Sequence, residues 1–458
     1  MIAPFLGASI IVWTSLIGII MASLAAGYYA GGRIADVKPS LKLLAAFIAG
    51  AALWVVLLAF IEKALLRILL TSGINNIYVL SILAAFLFFA IPSFLLATVS
   101  PFIIKIFTTD KSDAGIGGIA GRVSAYSTIG SIIGTFLGGF ILVSFFSVTV
   151  ILLFTALVLF IAAAFLFTTK LKAASLCLVV FAAFAGLYNL QKSQIPNQAI
   201  ETMYNSLFIA EYAEDGRRVR ALYTDSEKLQ GRMFVDNPSE MAGEYLNFIA
   251  DTYINNDTKS ILMLGGGVYV LPRWLAVEYP DTNIDIVEID PGITQAARDF
   301  FYLTDRPSQR IFHEDARYFV NRLALEGTKN YDLIFQDTYG SPLNVPFQLA
   351  TVEYFRKVKT LLSSDGVFIL NFIGSLNSKM FAGLHSAVQE AFTDVKVFLV
   401  NEPDNTETLQ NIILAVYNSG YGHDNYPIPE YRGAFLHEIA AFTDRFAPVE
   451  RYTLDMVR

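Results

Sequence analysis

The chain changes its hydrophobic rhythm near residue 190. Before that point, apolar residues run in blocks at about 5–29, 43–61, 77–104, 125–147, 149–168 and 173–190. Each is near the ~20 residues that cross a bilayer as a helix. A polar segment at 191–205, containing Pro196, follows. Residues 206–235 then alternate in short pieces: SLFIAEY, EDG as a turn, RVRALYT and GRMFVD. That alternation predicts a small β-hairpin module, with a helix at 240–254 after it. From 261 the pattern changes again. Apolar runs (ILML, IDIVEI, RIFHED, YDLIFQD, GVFILNF, VKVFLV, NIILAVY) alternate with helical stretches at 270–279, 291–300, 316–326, 347–362 and 378–392. Continuous apolar strands separated by helices predict a parallel sheet covered on both faces.

The fold class expected is an α-helical transmembrane bundle followed by an α/β Rossmann-like domain with a small N-terminal β-hairpin module. The boundaries read as 1–190 for the membrane part, 191–205 for a linker, 206–255 for the β module, 256–420 for the Rossmann-like domain and 421–458 for a tail.

Composition sharpens this division. The 458 residues are 54% hydrophobic, too apolar for an ordinary soluble chain. Residues 1–200 carry 11 Lys/Arg against 4 Asp/Glu, and the remainder 22 against 36. An acidic second half is unsuited to nucleic acid, which needs clustered positive charge. The one cysteine, Cys177, sits in an apolar run and excludes both an internal disulfide and a cysteine-rich metal site.

Within the membrane part, Gly27 and Gly31 are four apart, as are Gly130, Gly134 and Gly138, a spacing that lets helices approach closely in lipid. The spans carry no Asp, Glu, Lys or Arg at their middles, and Glu62, Lys63 and Arg67 fall at a span end. Ion-coupled carriers usually need a charge inside, so helix packing is the favoured reading. The basic segments 31–42, 105–122 and around Lys170 and Lys172 are expected to face the cytoplasm. Six crossings would then leave the soluble half outside, whereas five would leave it inside.

The chemistry-bearing residues stand at strand ends, where open α/β sheets bind ligands. Gly265, Gly266 and Gly267 follow the first strand; glycines let a ligand approach the backbone, and the next helix offers free N–H groups. Glu288 lies 23 residues after Gly265, the spacing of a carboxylate that accepts ribose hydroxyls. Asp315, with Ala316 after it, ends the third strand, and Asp337 ends the fourth. The glycines alone could form a plain tight turn, and Asp337 alone a helix N-cap. One acid after each of three successive strands favours an adenosine-type ligand.

With these residues in place, the chain resembles the membrane-fused form of the spermidine synthase (polyamine aminopropyltransferase) family, with its major-facilitator-like N-terminal half. The matching stretches include APFLGASIIVWTSLIG, GYYAGGRIAD and GRVSAYSTIGSIIGTFLGGFIL, then LMLGGGVYVLPRWL, VEIDPGI, EDARYFV, YDLIFQDTY and VPFQLATVEYFRKVKTLLSSDGVFILNF. The resemblance implies a class I methyltransferase-like Rossmann domain and decarboxylated S-adenosylmethionine as cosubstrate, with no metal. Gly265–Gly267 would cradle the nucleoside and its tail, Glu288 would bind ribose, and Asp315 and Ala316 would meet adenine. Asp337 would stand beside the attacking amine, and Gln230 would match the family's glutamine in the hairpin module.

Two departures weaken the amine half. The family follows its glycines with Asp-Gly, where this chain has Val268-Tyr269; a second family aspartate is replaced by Gly340. The family often has a histidine where Gln348 stands, and a further span ahead of APFLG. The expected function is aminopropyl transfer to an amine by an integral membrane enzyme. The competing readings are another S-adenosylmethionine-dependent transferase, such as a methyltransferase, or a non-catalytic transporter-like protein with a nucleoside-binding domain. The expected partners are the lipid bilayer, a small amine and a second copy of the chain, in a multi-pass inner-membrane setting with the soluble half on the cytoplasmic side.

Overall fold

The computed structural model describes residues 10–72, 74, 76–109, 115–143, 146, 148–167, 199–202, 204–224, 228–327, 330–338, 345–418 and 426–456. The chain divides into two compact units, Met1–Pro196 and Asn197–Arg458.

The first unit is helical. Its helices are α1 Ile10–Val37, α2 Leu41–Leu70, α3 Ile77–Ala85, α4 Ile91–Ala97, α5 Val99–Thr109, α6 Ile116–Phe136 and α7 Val148–Phe167. Short π-helical pieces at Phe86–Ala90 and Leu137–Leu142 continue α3 and α6. Five stretches among the described residues are long and apolar enough to cross a membrane: Ile11–Val37, Leu41–Glu62, Tyr78–Thr109, Ile116–Leu142 and Val148–Leu166. The expected span at 173–190 lies outside the described residues. Helix α2 runs on to Leu70, past the membrane-length stretch that ends at Glu62, so Glu62 stands at the span end as expected and is buried within the continuing helix. The Gly27–Gly31 pair is a packing seam. A Cβ on Gly31 would come within 2.8 Å of Thr98, so α1 is held against the α4–α5 segment at backbone distance.

The second unit begins with a four-stranded antiparallel sheet in chain order: β1 Ala199–Glu201, β2 Ser206–Glu214, β3 Arg217–Thr224 and β4 Lys228–Phe234. The EDG turn is as read from sequence: Asp215 and Gly216 both take positive φ, at 50° and 77°, which suits a tight hairpin. The sheet starts earlier than the alternation suggested, because Ala199–Glu201 pairs with β2. Helix α8 Glu244–Tyr253 leads into the larger domain.

That domain alternates β5 Ser260–Leu264, α9 Val270–Glu278, β6 Asn283–Val287, α10 Pro291–Phe300, β7 Gln309–Phe312, α11 Ala316–Glu326, β8 Tyr331–Gln336, α12 Val352–Leu361, β9 Leu362–Gly374, α13 Lys379–Ala391, β10 Val395–Leu399 and β11 Gln410–Tyr417, with α14 Val449–Met456 near the end. The sheet order is β10-β11-β9-β8-β5-β6-β7, a methyltransferase-like Rossmann fold. Both faces are covered. Phe319, Phe355 and Leu384 belong to one core, and Phe248, Leu271 and Phe301 to the other, which is why the strands are continuously apolar.

The expectation of an all-parallel sheet is corrected at one edge: β11 is antiparallel to both β9 and β10. The segment 400–409 between β10 and β11 has no helix, and a parallel return needs a longer crossover. The chain order reverses between β5 and β8, so the carboxyl ends of these strands open a crevice at the topological switch point.

Candidate active site

A cavity of about 620 Å³ opens at that switch point. Its floor is the turn after β5. Gly265 has φ +94°, and a Cβ on it would overlap the main-chain oxygen of Asp337. Only glycine fits, because a side chain would push the ends of β5 and β8 apart. The main chain ties the same corner: Gly265 N–H donates to Val287 O at 2.8 Å, and Asp337 N–H to Leu264 O at 2.8 Å.

Glu288 follows β6 and is buried. Its Oε2 accepts from the Gly266 N–H at 2.9 Å and its Oε1 from the Asp290 N–H at 2.9 Å. Burial nevertheless dominates and raises its pKa above the usual glutamate range. Asp290 caps α10, with Pro291 at the first helical turn. Asp315 is the N-cap of α11, its Oδ1 accepting from the Tyr318 N–H at 3.0 Å. It therefore lies three residues beyond the end of β7 at Phe312 rather than at the strand end itself.

Asp337 is not a helix cap. Its Oδ2 accepts from the Tyr245 hydroxyl at 2.9 Å and its Oδ1 from Asn371 Nδ2 at 2.8 Å. Burial raises its pKa, opposed by these two hydrogen bonds. The Tyr245 phenol is pushed well above its ordinary value by burial and by the adjacent carboxylate. From β4, Gln230 donates through Nε2 to Thr224 Oγ1 at 3.0 Å.

Every residue singled out from the sequence (Gln230, Gly265, Gly266, Gly267, Glu288, Asp315, Ala316 and Asp337) lines this one cavity, and so does Gln348. The position of Gly340 lies outside the described residues. Val268 is 2% exposed and packs against the hairpin module: a Cβ on Gly231 would come within 2.7 Å of its Cγ2. Tyr269, where the resemblance has glycine, keeps a left-handed φ of 58°. Its ring is fully buried, with the hydroxyl 2.6 Å from Thr294 Oγ1. Among the described residues no group of three or more His, Cys, Asp or Glu could hold a metal ion.

Sequence reasoning missed Tyr245, Asn371, Asn401, Asn411 and Glu244, all of which line the cavity. One signal was available. Asn371 interrupts the apolar run GVFILNF and is 1% exposed, and a buried amide must find partners.

Parts of the chain are similar to known proteins. The model for "Spermine/spermidine synthase domain" matches residues 244–420. A polyamine aminopropyltransferase of Vibrio vulnificus is 30% identical over 170 residues, covering 37% of this chain and 56% of that protein. An eEF1A lysine and N-terminal methyltransferase of Mus musculus is 32% identical over 139 residues, covering 28% of this chain and 20% of that protein. A crystal structure of a probable spermidine synthase from Corynebacterium glutamicum superposes with TM-score 0.43 at 20% identity, over 51% of this chain and 84% of that one. The chain thus spans about half the length of the Vibrio relative and a fifth of the murine one.

Proposed function

We propose that this chain, whose residues 244–420 match the spermine/spermidine synthase domain model, is a membrane-anchored enzyme transferring an aminopropyl group from decarboxylated S-adenosylmethionine to an amine. The observation that carries the reading is the meeting of the glycine turn, Glu288, Asp315 and Asp337 around one cavity at the switch point.

The roles follow from chemistry. Backbone N–H groups at the start of α9 and the Glu288 carboxylate suit the nucleoside, with Glu288 taking ribose hydroxyls. Asp315 and Ala316 border the adenine, and Gln230 closes the cavity from β4. The amine lone pair forms a bond to the methylene next to the sulfonium. The carbon–sulfur bond breaks with its electrons going to sulfur, and neutral methylthioadenosine leaves. The proton released from the amine goes to Asp337, which is held in place by Tyr245 and Asn371.

A second reading has one observation in its favour. Val268 stands where the family has an aspartate for the aminopropyl ammonium, and it is buried against the hairpin. Methyl transfer from S-adenosylmethionine needs no such carboxylate. The full chain in nanodiscs separates the two. Release of methylthioadenosine from the decarboxylated cosubstrate, abolished by Asp337→Asn, supports aminopropyl transfer. Release of S-adenosylhomocysteine from S-adenosylmethionine alone overturns it.

Five crossings with basic loops inward, ending after α7, would leave the enzyme domain in the cytoplasm, where an adenosyl cosubstrate is supplied. The basic Lys105 end of α5 pairs with Asp36 near the end of α1 at 2.9 Å, consistent with both ends sharing one side. Labelling from either side of the membrane of a cysteine introduced at exposed Leu325, in a Cys177→Ala background, tests this.

A further inference from the structure

The cavity has a polar wall that the nucleoside side does not use. Asn371 donates through Nδ2 to Asp337, and its Oδ1 accepts from Asn411 Nδ2 at 3.0 Å. The Asn411 N–H donates to Asn401 Oδ1 at 3.3 Å, and Asn401 Nδ2 donates to Glu244 Oε2 at 2.8 Å. All of these residues line the cavity. The line runs from Asp337, half-buried at the strand end, to Glu244, exposed at the first turn of α8. It has a carboxylate at each end and neutral amides between.

That arrangement has a chemical counterpart. A diamine presents one nitrogen to be deprotonated and a second that stays an ammonium, joined by methylenes. The attacking nitrogen belongs beside Asp337. The ammonium needs a compensating charge. Position 268 offers none, because it is valine, and position 340 is glycine. Glu244 spends one hydrogen bond on Asn401, and a carboxylate has about four acceptor sites, so it keeps capacity for an ammonium. Ile373, on the same strand as Asn371, borders the cavity beside the methylenes.

We propose that Glu244 determines acceptor specificity, holding the distal ammonium of a diamine whose other nitrogen attacks beside Asp337. This rests on the aminopropyl-transfer reading and adds to it the acceptor's second charge and the residue that reads it.

The test uses the full chain in nanodiscs with decarboxylated S-adenosylmethionine. The acceptors are diamines from diaminopropane to diaminohexane, each paired with its n-alkylamine of equal length. The wild type is expected to favour at least one diamine over its monoamine by tenfold or more in kcat/KM. Glu244→Gln should cut that preference below threefold, mostly through KM, and Glu244→Asp should restore part of it. Equal use of diamine and monoamine by the wild type, or a preference that survives Glu244→Gln, overturns the proposal while leaving aminopropyl transfer intact. If no amine accepts the group, aminopropyl transfer itself fails. Calorimetry with the diamines and methylthioadenosine then decides Glu244: tenfold weaker binding in Glu244→Gln supports it, and equal binding overturns it.

Discussion

The Tyr245 hydroxyl donates to Oδ2 of Asp337 across 2.9 Å, joining the first turn of α8 to the end of β8. Burial raises the Asp337 pKa, and this hydrogen bond with that of Asn371 holds it down. A base must be ionised, so kcat/KM is expected to fall on the acid side through a pKa above the ~3.9 of a free aspartate. Tyr245→Phe removes a donor to the ionised form, and the acid limb should move to higher pH. A limb that stays in place, read from a full pH profile, would show that this bond does not set the pKa. The same shift has a stability sign. The folded pKa lies above the unfolded one, so the Asp337 contribution is complete below the unfolded pKa and lost as pH rises through the folded pKa. Asp337→Asn should therefore melt above the wild type at neutral pH, and the gap should close as pH falls toward ~3.9.

Gly265 has φ +94°, and any Cβ there would overlap the Asp337 main-chain oxygen. Gly265→Ala is expected to destabilise the enzyme domain by about 1–3 kcal/mol. It should also cut methylthioadenosine affinity by more than tenfold, because the turn that faces the ligand moves. Unaltered melting and unaltered calorimetric binding would mean that the turn has slack that the backbone geometry denies it.

Strand–helix alternation made the Rossmann-like domain legible from sequence, and α10 and α11 begin and end where periodicity placed them; that Asp290 and Asp315 cap them was not read. The glycine turn and the acids at 288, 315 and 337 were legible for the same reason: strand ends in an α/β sheet converge. The antiparallel β11 was not, because an apolar strand reads alike in either direction. Tyr245 and Glu244 were hidden because they come from α8, before the first strand of the domain, and reach the site only through packing. Asn401 and Asn411 flank the segment between β10 and β11, where no periodicity marks an inward face. Position 268 was legible as a departure. What replaces the aspartate there is contact with Gly231 of the hairpin module, a neighbour distant in sequence that no local pattern marks.

That contact sets the outcome of restoring the family residue. Val268→Asp would put a carboxylate against Gly231 and into a site that is 2% exposed. A buried polar group without partners costs about 1–3 kcal/mol, more when charged. The substitution should therefore lower the melting temperature. Its affinity for decarboxylated S-adenosylmethionine should not rise, since the side chain, although at the cavity wall, is packed against Gly231 of the hairpin. A tenfold gain in affinity by calorimetry would instead show that residue 268 can turn toward the cosubstrate.

The segment leading into β2 also bears on the nucleoside end. Thr202 Oγ1 donates to Asp290 Oδ2 at 2.5 Å, and Asn205 Nδ2 donates to the same oxygen at 3.0 Å. The Asp290 N–H in turn donates to Glu288 Oε1 at 2.9 Å. Tyr204 and Asn205 line the cavity. Thr202 and Asn205 thus brace the carboxylate assigned to ribose through one intermediary. Thr202→Val keeps the shape and deletes a hydrogen bond to a buried charge, a loss of about 1.5–3 kcal/mol. Methylthioadenosine binding is expected to weaken by about tenfold if the lower part of that range reaches the ligand, with kcat little altered, since Asp337 is held by other residues. A fall in kcat at constant affinity would place the effect on the reacting end instead, and would break the link drawn between Thr202, Asp290 and Glu288.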